Sequence, residues 1–207
     1  MDDPHRVNRA EHKGWQLLMA QRAGLRLPHT LISNDPEGVQ AWATGAPSLV
    51  TKMLAASELR TPEGAGQINT SAVSVEDLED LSGLSLAPLT LQHRLDKALE
   101  VRAVVVGEEV FAAGVDSRRS DKAAVDWRKG SAELMREFRP VTLPDSVIAA
   151  LLRLQGLLGL RYGGADLILT PEGQWFFLEI NPGGEWAWVQ EFAGFDIPGA
   201  LAELLTR

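Results

Sequence analysis

Apolar and polar positions alternate along this chain with two periods, and the changes from one to the other mark out its elements. From Asn8 to Ala23 the residues Trp15, Leu18 and Met19 fall on one stripe of a helix, which Gly24 is placed to end. "GLRLPHTLIS" reads as a strand, and "NDPEGVQAWA" as a helix with Asn34 or Asp35 as N-cap and Pro36 in the first turn. "PSLVTKML" is the next strand. Residues 55–71 are polar and hold Pro62, Gly64 and Gly66, which fits either a mobile loop over a ligand or a surface hairpin. "VSVEDLEDLSG" predicts a short acidic helix and "LAPLTLQHRL" a strand. Two hairpins then stand out: "LEVRAVVVGEEVFAAGVDS" around Gly107, Glu108 and Glu109, and "GGADLILTPEGQWFFLEIN", turned at Pro171, Glu172 and Gly173. Between them lie a charged stretch over residues 118–137, expected as loop with a partial helix, and the helix "LPDSVIAALLRLQGLLGL", capped by Asp145 or Ser146. "DIPGALAELLTR" closes the chain as a helix. Hairpins with interspersed helices predict an α+β fold with mainly antiparallel sheets.

Composition adds bounds to that pattern. With 207 residues, 45% of them hydrophobic, the chain has enough apolar mass for a proper core. A formal charge of -8 argues against a nucleic-acid binder, and the lack of cysteine removes disulfides, thiolate zinc sites and a cysteine nucleophile. No apolar signal core opens the sequence and no run approaches the roughly 20 apolar residues of a membrane span, so a cytoplasmic protein without a membrane partner is expected.

The candidate chemistry starts in "FFLEINPGGEWAW". Side chains two apart in a strand share a face, so Glu179 and Asn181 point the same way while Leu178 and Ile180 are expected in the core. Across the hairpin Asp166 falls close to opposite Glu179. Two carboxylates that close repel unless one is protonated or a cation lies between them. Two carboxylates and an amide oxygen suit Mg²⁺, which keeps few protein ligands and completes its shell with water and phosphate; a solvated hairpin face with scattered acids is the alternative. Lys52 at a strand end, Lys13 in the first helix and Arg102, on the same face as Glu100, supply the cations a triphosphate needs. The chain contains no G-x-x-x-x-G-K-[ST] and no G-x-G-x-x-G after a strand. A nucleotide site here is of another kind.

"LVTKML", "LQHRL", "LEVRAVVVGEEVFAAGVDS" and "YGGADLILTPEGQWFFLEINPGG" resemble, in order, the motifs of ATP-grasp ligases. "VDWR" and the tryptophan-rich tail are most similar to the graspetide (microviridin-type) peptide macrocyclases, with RimK-like ligases as the wider relatives. The resemblance implies two α+β subdomains clasping ATP, here residues 1–90 and 91–207. It implies Mg²⁺ held by Asp166, Glu179 and Asn181, and Lys52 on phosphate or adenine. Gln92, His93, Arg94 and Leu95 would form the adenine hinge, with Glu100 or Asp96 on the ribose. Arg102 would stabilise the transferring phosphoryl group, Arg128 would hold substrate or phosphate, and the loop with Gly64 and Gly66 would be the lid.

The implied reaction activates a carboxylate of a ribosomal precursor peptide as an acyl phosphate and joins it to an amine or hydroxyl. A RimK-like addition of amino acids to a peptide, or a nucleotide- or peptide-binding module without turnover, are the alternatives. Trp186 and Trp188 line a peptide groove or serve as packing. Whole ligases of this kind carry another α/β domain ahead of the first matched helix. A fragment is therefore expected, or a short protein completed by a partner or a second copy.

Overall fold

The computed structural model describes residues 2–54, 58–61, 64–67, 70–119 and 132–206. All strand pairs are antiparallel, and they form a four-stranded sheet, a five-stranded sheet and a two-stranded hairpin.

The N-terminal segment is two helices rather than one: α1 (Pro4–Ala10) and α2 (Lys13–Arg22). The break at Glu11 and His12 is held by Gln16, whose buried side-chain amide donates to the Ala10 carbonyl and so ties the end of α1 to α2. Leu18 is exposed, and the buried stripe of α2 is Gln16, Met19 and Ala20. A polar residue in the apolar stripe hides the true face from a hydrophobicity count.

The small sheet contains β1 (Thr30–Ser33), β2 (Leu49–Lys52), β5 (Ser71–Val73) and β6 (Leu89–His93) in the order β1-β6-β2-β5. Its outer face is covered by α3 (Pro36–Ala43), with Asp35 as the N-cap and Pro36 in the first turn, and by the short α4 (Val75–Glu79), which Ser74 and Asp77 close with a capping box. Val39, Leu84 and Leu91 form the core between them. Between β2 and β5 the backbone of β3 (Glu58–Thr61) and β4 (Gly64–Gln67) pairs as a hairpin, so the Gly64 and Gly66 stretch takes the hairpin form of its two expected readings.

The ring of His93 lies on the outer face. It stacks edge-on to His29 at 4.8 Å and lies 5.0 Å from Trp42. Burial and the neighbouring His29 hold its pKa below the ordinary 6.5. The unfolded chain therefore binds a proton that the folded chain resists, so stability is full above pH 6.5 and falls as the pH drops from there toward the folded value. Thermal melts between pH 7.5 and 5.0 should show this decline, and His93→Gln should flatten it; an unchanged slope would assign the acid sensitivity elsewhere.

The large sheet runs β11-β10-β7-β8-β9, from β7 (Leu99–Val106), β8 (Glu109–Val115), β9 (Arg139–Pro140), β10 (Tyr162–Leu169) and β11 (Trp175–Asn181). One face packs Val101, Ala103, Val105, Ala165, Leu167 and Phe177 against α2 and α6 (Asp145–Leu158). Neither Asp145 nor Ser146 caps α6: Pro144 is its N-cap, without a side-chain bond, and Gly159 ends the helix at a φ of 70°. The N-terminal helices thus pack with the large sheet, and a cut at residue 90 passes through β6. On the opposite face α5 (Ala132–Met135), α7 (Ala187–Ala193) and α8 (Ile197–Thr206) cover the end bearing Val104 and Val106. There Trp188 meets Phe138 edge-on at 4.9 Å and, with Trp186, packs against this second core. The rest of that face, with Glu100, Asp166 and Ile168, turns toward the small sheet and lines a cleft. Among the described residues, no helix is long and apolar enough to cross a membrane.

Candidate functional site

The two hairpins of the large sheet set the polar residues in register. Asp166 pairs with Glu179 on β11 and with Arg102 on β7, so one row across the sheet reads Glu179, Asp166, Arg102. The next row toward the open end pairs Ile168 with Glu100. Side chains two apart share a face, which places both rows beneath the small sheet.

Between Asp166 and Leu167 the β10–β11 register shifts, so that Phe177 pairs with Leu167 while Glu179 still pairs with Asp166. Leu178 is the extra residue of a β-bulge. It lines the cleft beside Glu179 instead of entering the core, contrary to strict alternation, while Phe177 and Ile180 on either side are buried. Without the bulge, the apolar set and the acid could not both face where they do.

The cleft between the sheets is lined by Val50, Lys52, Gln92, Leu95, Lys97 and Glu100, with Asp166, Ile168, Leu178 and Glu179 on the far wall. Of the residues singled out in the sequence, His93 and Arg94 also reach it. The backbone N–H groups of those two are committed, to the carbonyls of His29 and Ser48. Leu95 donates no backbone hydrogen bond among the described residues, which leaves it as the hinge N–H that a ligand can use. Asp96 is exposed and outside the lining, so of the two acids proposed for the ribose Glu100 is the one in the cleft. Arg128 lies outside the described residues.

Charges here come in opposed pairs. Lys97 reaches Glu100 at 2.7 Å, both side chains being 7% exposed. Lys97 is a cleft residue that the sequence reading missed; its signal was a lysine three positions ahead of an acid within an apolar run. Arg102 lies beside Asp166 at 3.1 Å and donates to the Gly164 carbonyl at 3.0 Å. A Cβ at Gly164 would stand 2.9 Å from the guanidinium and would push Arg102 aside. Lys13 reaches Glu179 at 2.7 Å from the first turn of α2. It lies outside the cleft lining and acts as a cation on an acid. Gln16 anchors that helix by bonding both the N–H and the carbonyl of Ile180, next to Glu179.

The turn after Glu179 is tied down as well. Asn181 accepts the Gly183 N–H on its side-chain oxygen, and the Tyr162 hydroxyl donates to the Gly184 carbonyl. Burial pushes the Tyr162 pKa up to about 12, against the opposing charge of Arg102, so the phenol stays a donor at neutral pH.

Among the described residues no three His, Asp or Glu side chains converge as a ready metal cluster. The donor set is smaller: Asp166 and Glu179 paired across strands, each already beside a cation, with the Asn181 amide oxygen two residues beyond. Hard oxygens of this kind and number fit Mg²⁺ shared with phosphate.

No protein-family profile matches the chain. It is similar to a probable alpha-L-glutamate ligase of Chromohalobacter salexigens, 25% identical over 216 residues that cover 100% of this chain and 67% of the relative. It superposes on a RiPP-associated ATP-grasp ligase of Chryseobacterium gregarium, solved in complex with ADP and a leader and core peptide, with a TM-score of 0.93, 30% identity and coverage of 99% of this chain and 62% of that one. For the macrocyclase MdnC of Microcystis aeruginosa MRC, bound with the precursor peptide MdnA, the TM-score is 0.82 at 37% identity, over 97% of this chain and 61% of that one. The chain thus spans about three fifths of these solved structures. Its α+β architecture is the ATP-grasp fold, as the ordered motifs implied.

Proposed function

We propose that this ATP-grasp chain is the nucleotide-binding and catalytic part of a ligase that activates an Asp or Glu side chain of a ribosomal precursor peptide with ATP. The activated carbonyl is joined to an amine or hydroxyl. The observation that carries the reading is the single cleft that gathers Lys52, Gln92, Leu95, Glu100, Asp166 and Glu179 between two sheets.

In this reading the base enters between Val50 above and Ile168 and Leu178 below, with its edge toward Gln92 and Leu95. Glu100, oriented by Lys97, accepts from a ribose hydroxyl, and Lys52 contacts phosphate. Asp166, Glu179 and Asn181 would hold Mg²⁺, which when bound supplies positive charge to the phosphate oxygens. Arg102 holds Asp166 in place and adds its charge beneath the transferring group.

The substrate carboxylate oxygen attacks the γ-phosphorus as ADP leaves, giving an acyl phosphate. The amine or hydroxyl then adds to the acyl carbon, loses its proton, and phosphate departs with the C–O electron pair. Positioning and cations supply most of the rate, which fits a cleft lined by opposed charges. The peptide reading rests on the similarity to chains solved with leader and core peptides. The curated relatives favour a second reading, addition of glutamate to a peptide.

Calorimetric titration with a non-hydrolysable ATP analogue should give saturable, Mg²⁺-dependent binding. Absence of binding with the metal present would overturn the nucleotide reading for this chain. Mass spectrometry of a peptide incubated with ATP separates the two acceptor chemistries: each internal cross-link removes one water, whereas ligation adds a glutamyl residue.

A further inference from the structure

Among the described residues, Gln92 is the glutamine of the cleft lining, and it opens the Gln92–Leu95 segment. Its amide nitrogen lies 3.0 Å from the Thr30 hydroxyl on the neighbouring strand β1, where Thr30 is the direct register partner of Gln92. The same hydroxyl lies 2.8 Å from the Pro28 carbonyl. A threonine hydroxyl has one proton, and a carbonyl can only accept. Thr30 must therefore donate to Pro28, and it accepts from whatever group Gln92 presents. That group is the NH₂. The order of donors fixes the amide orientation, which coordinates alone do not reveal.

The other end of the amide follows from this. Gln92 Oε1 accepts no hydrogen bond among the described residues, and it is not among the buried polar atoms sealed from solvent. Because Gln92 is nearly buried and lines the cleft, that oxygen opens into it. Leu95, whose N–H is uncommitted among the described residues, lines the same cleft three positions on. The hinge thus offers one acceptor and one donor, between the apolar side chains of Val50, Ile168 and Leu178. A 6-amino purine presents the complementary pair, an exocyclic NH₂ and an unprotonated N1. A 6-oxo purine presents the reverse, and would leave two acceptors opposed and two donors opposed.

We infer that Thr30 is a positioning residue for base selection: by accepting from Gln92 it locks the amide so that its oxygen faces the base, and so sets preference for a 6-amino over a 6-oxo purine nucleotide. The inference rests on the nucleotide reading of the cleft. An isosteric Thr30→Val keeps the strand but removes the acceptor, and the freed amide can rotate to present its NH₂ to a 6-oxo group.

The test is calorimetric titration of the chain with Mg-ATP and Mg-ITP, which differ only at the 6-position and N1, in the absence of peptide. The wild type should prefer ATP by about tenfold or more, the scale of one mismatched hydrogen-bonding pair. Thr30→Val should bring the two affinities together chiefly by raising that for ITP, Thr30→Ser should restore the preference, and Gln92→Glu placed on Thr30→Val should restore it too, since a carboxylate has no donor to rotate inward. A preference unchanged in Thr30→Val would overturn the inference while leaving the nucleotide site standing, as would an equal loss of both affinities in a variant with a wild-type melt. A wild-type chain that binds neither nucleotide would overturn both.

Discussion

Truncating Arg102 to alanine should destabilise the fold by about 3–5 kcal/mol, the range for removing one partner of a buried ion pair. The side chains of Arg102 and Asp166 are 7% and 6% exposed, so the carboxylate has little water to turn to once the guanidinium is gone. The Gly164 carbonyl loses its donor at the same time. Arg102→Lys keeps a charge but not the planar fork that serves both acceptors, and should recover only part of the loss. Combining Arg102→Ala with Asp166→Asn should recover more, because the buried carboxylate charge is then removed together with its guanidinium partner. Urea melts of the four proteins decide the point: a loss under about 1 kcal/mol in Arg102→Ala would mean that other contacts hold Asp166. Turnover should fall further than nucleotide affinity, since Arg102 lies outside the cleft lining and acts through Asp166.

Much of this was legible in the sequence because it depended on short-range rules. The Asp35 cap with Pro36, both long hairpins and the pairing of Asp166 with Glu179 follow from turn chemistry and a period of two. What was not legible depended on contacts distant along the chain. The break between α1 and α2 is held by Gln16, whose other partner is Ile180. Lys13, expected on the nucleotide, is taken by Glu179, and Leu178 leaves the core because of a bulge that alternation cannot show. The placement of α2 against the large sheet follows from the same contacts: it is joined to β11 by one buried amide and one ion pair.

Glu179→Gln is the substitution expected to cost most in turnover, a loss on the order of a hundredfold or more, the scale for removing one preorganised electrostatic group. The fold should survive it. Glu179 is partly exposed, its pairing with Lys13 is that of a partly solvated ion pair, and glutamine keeps the volume and one oxygen, so a stability change under about 1 kcal/mol is expected. The metal reading makes a sharper demand than loss of activity. If Glu179 shares a cation with Asp166, the half-saturating Mg²⁺ concentration should rise in Glu179→Gln, and added Mg²⁺ should recover part of the rate. Lys13→Met supplies the contrast, because it breaks the same ion pair while leaving both carboxylates in the row. It should bind Mg²⁺ with nucleotide at least as readily as the wild type, since a competing ammonium has gone. A Glu179→Gln protein with an unchanged Mg²⁺ dependence would remove Glu179 from the metal site and leave its ion pair with Lys13 as a structural contact.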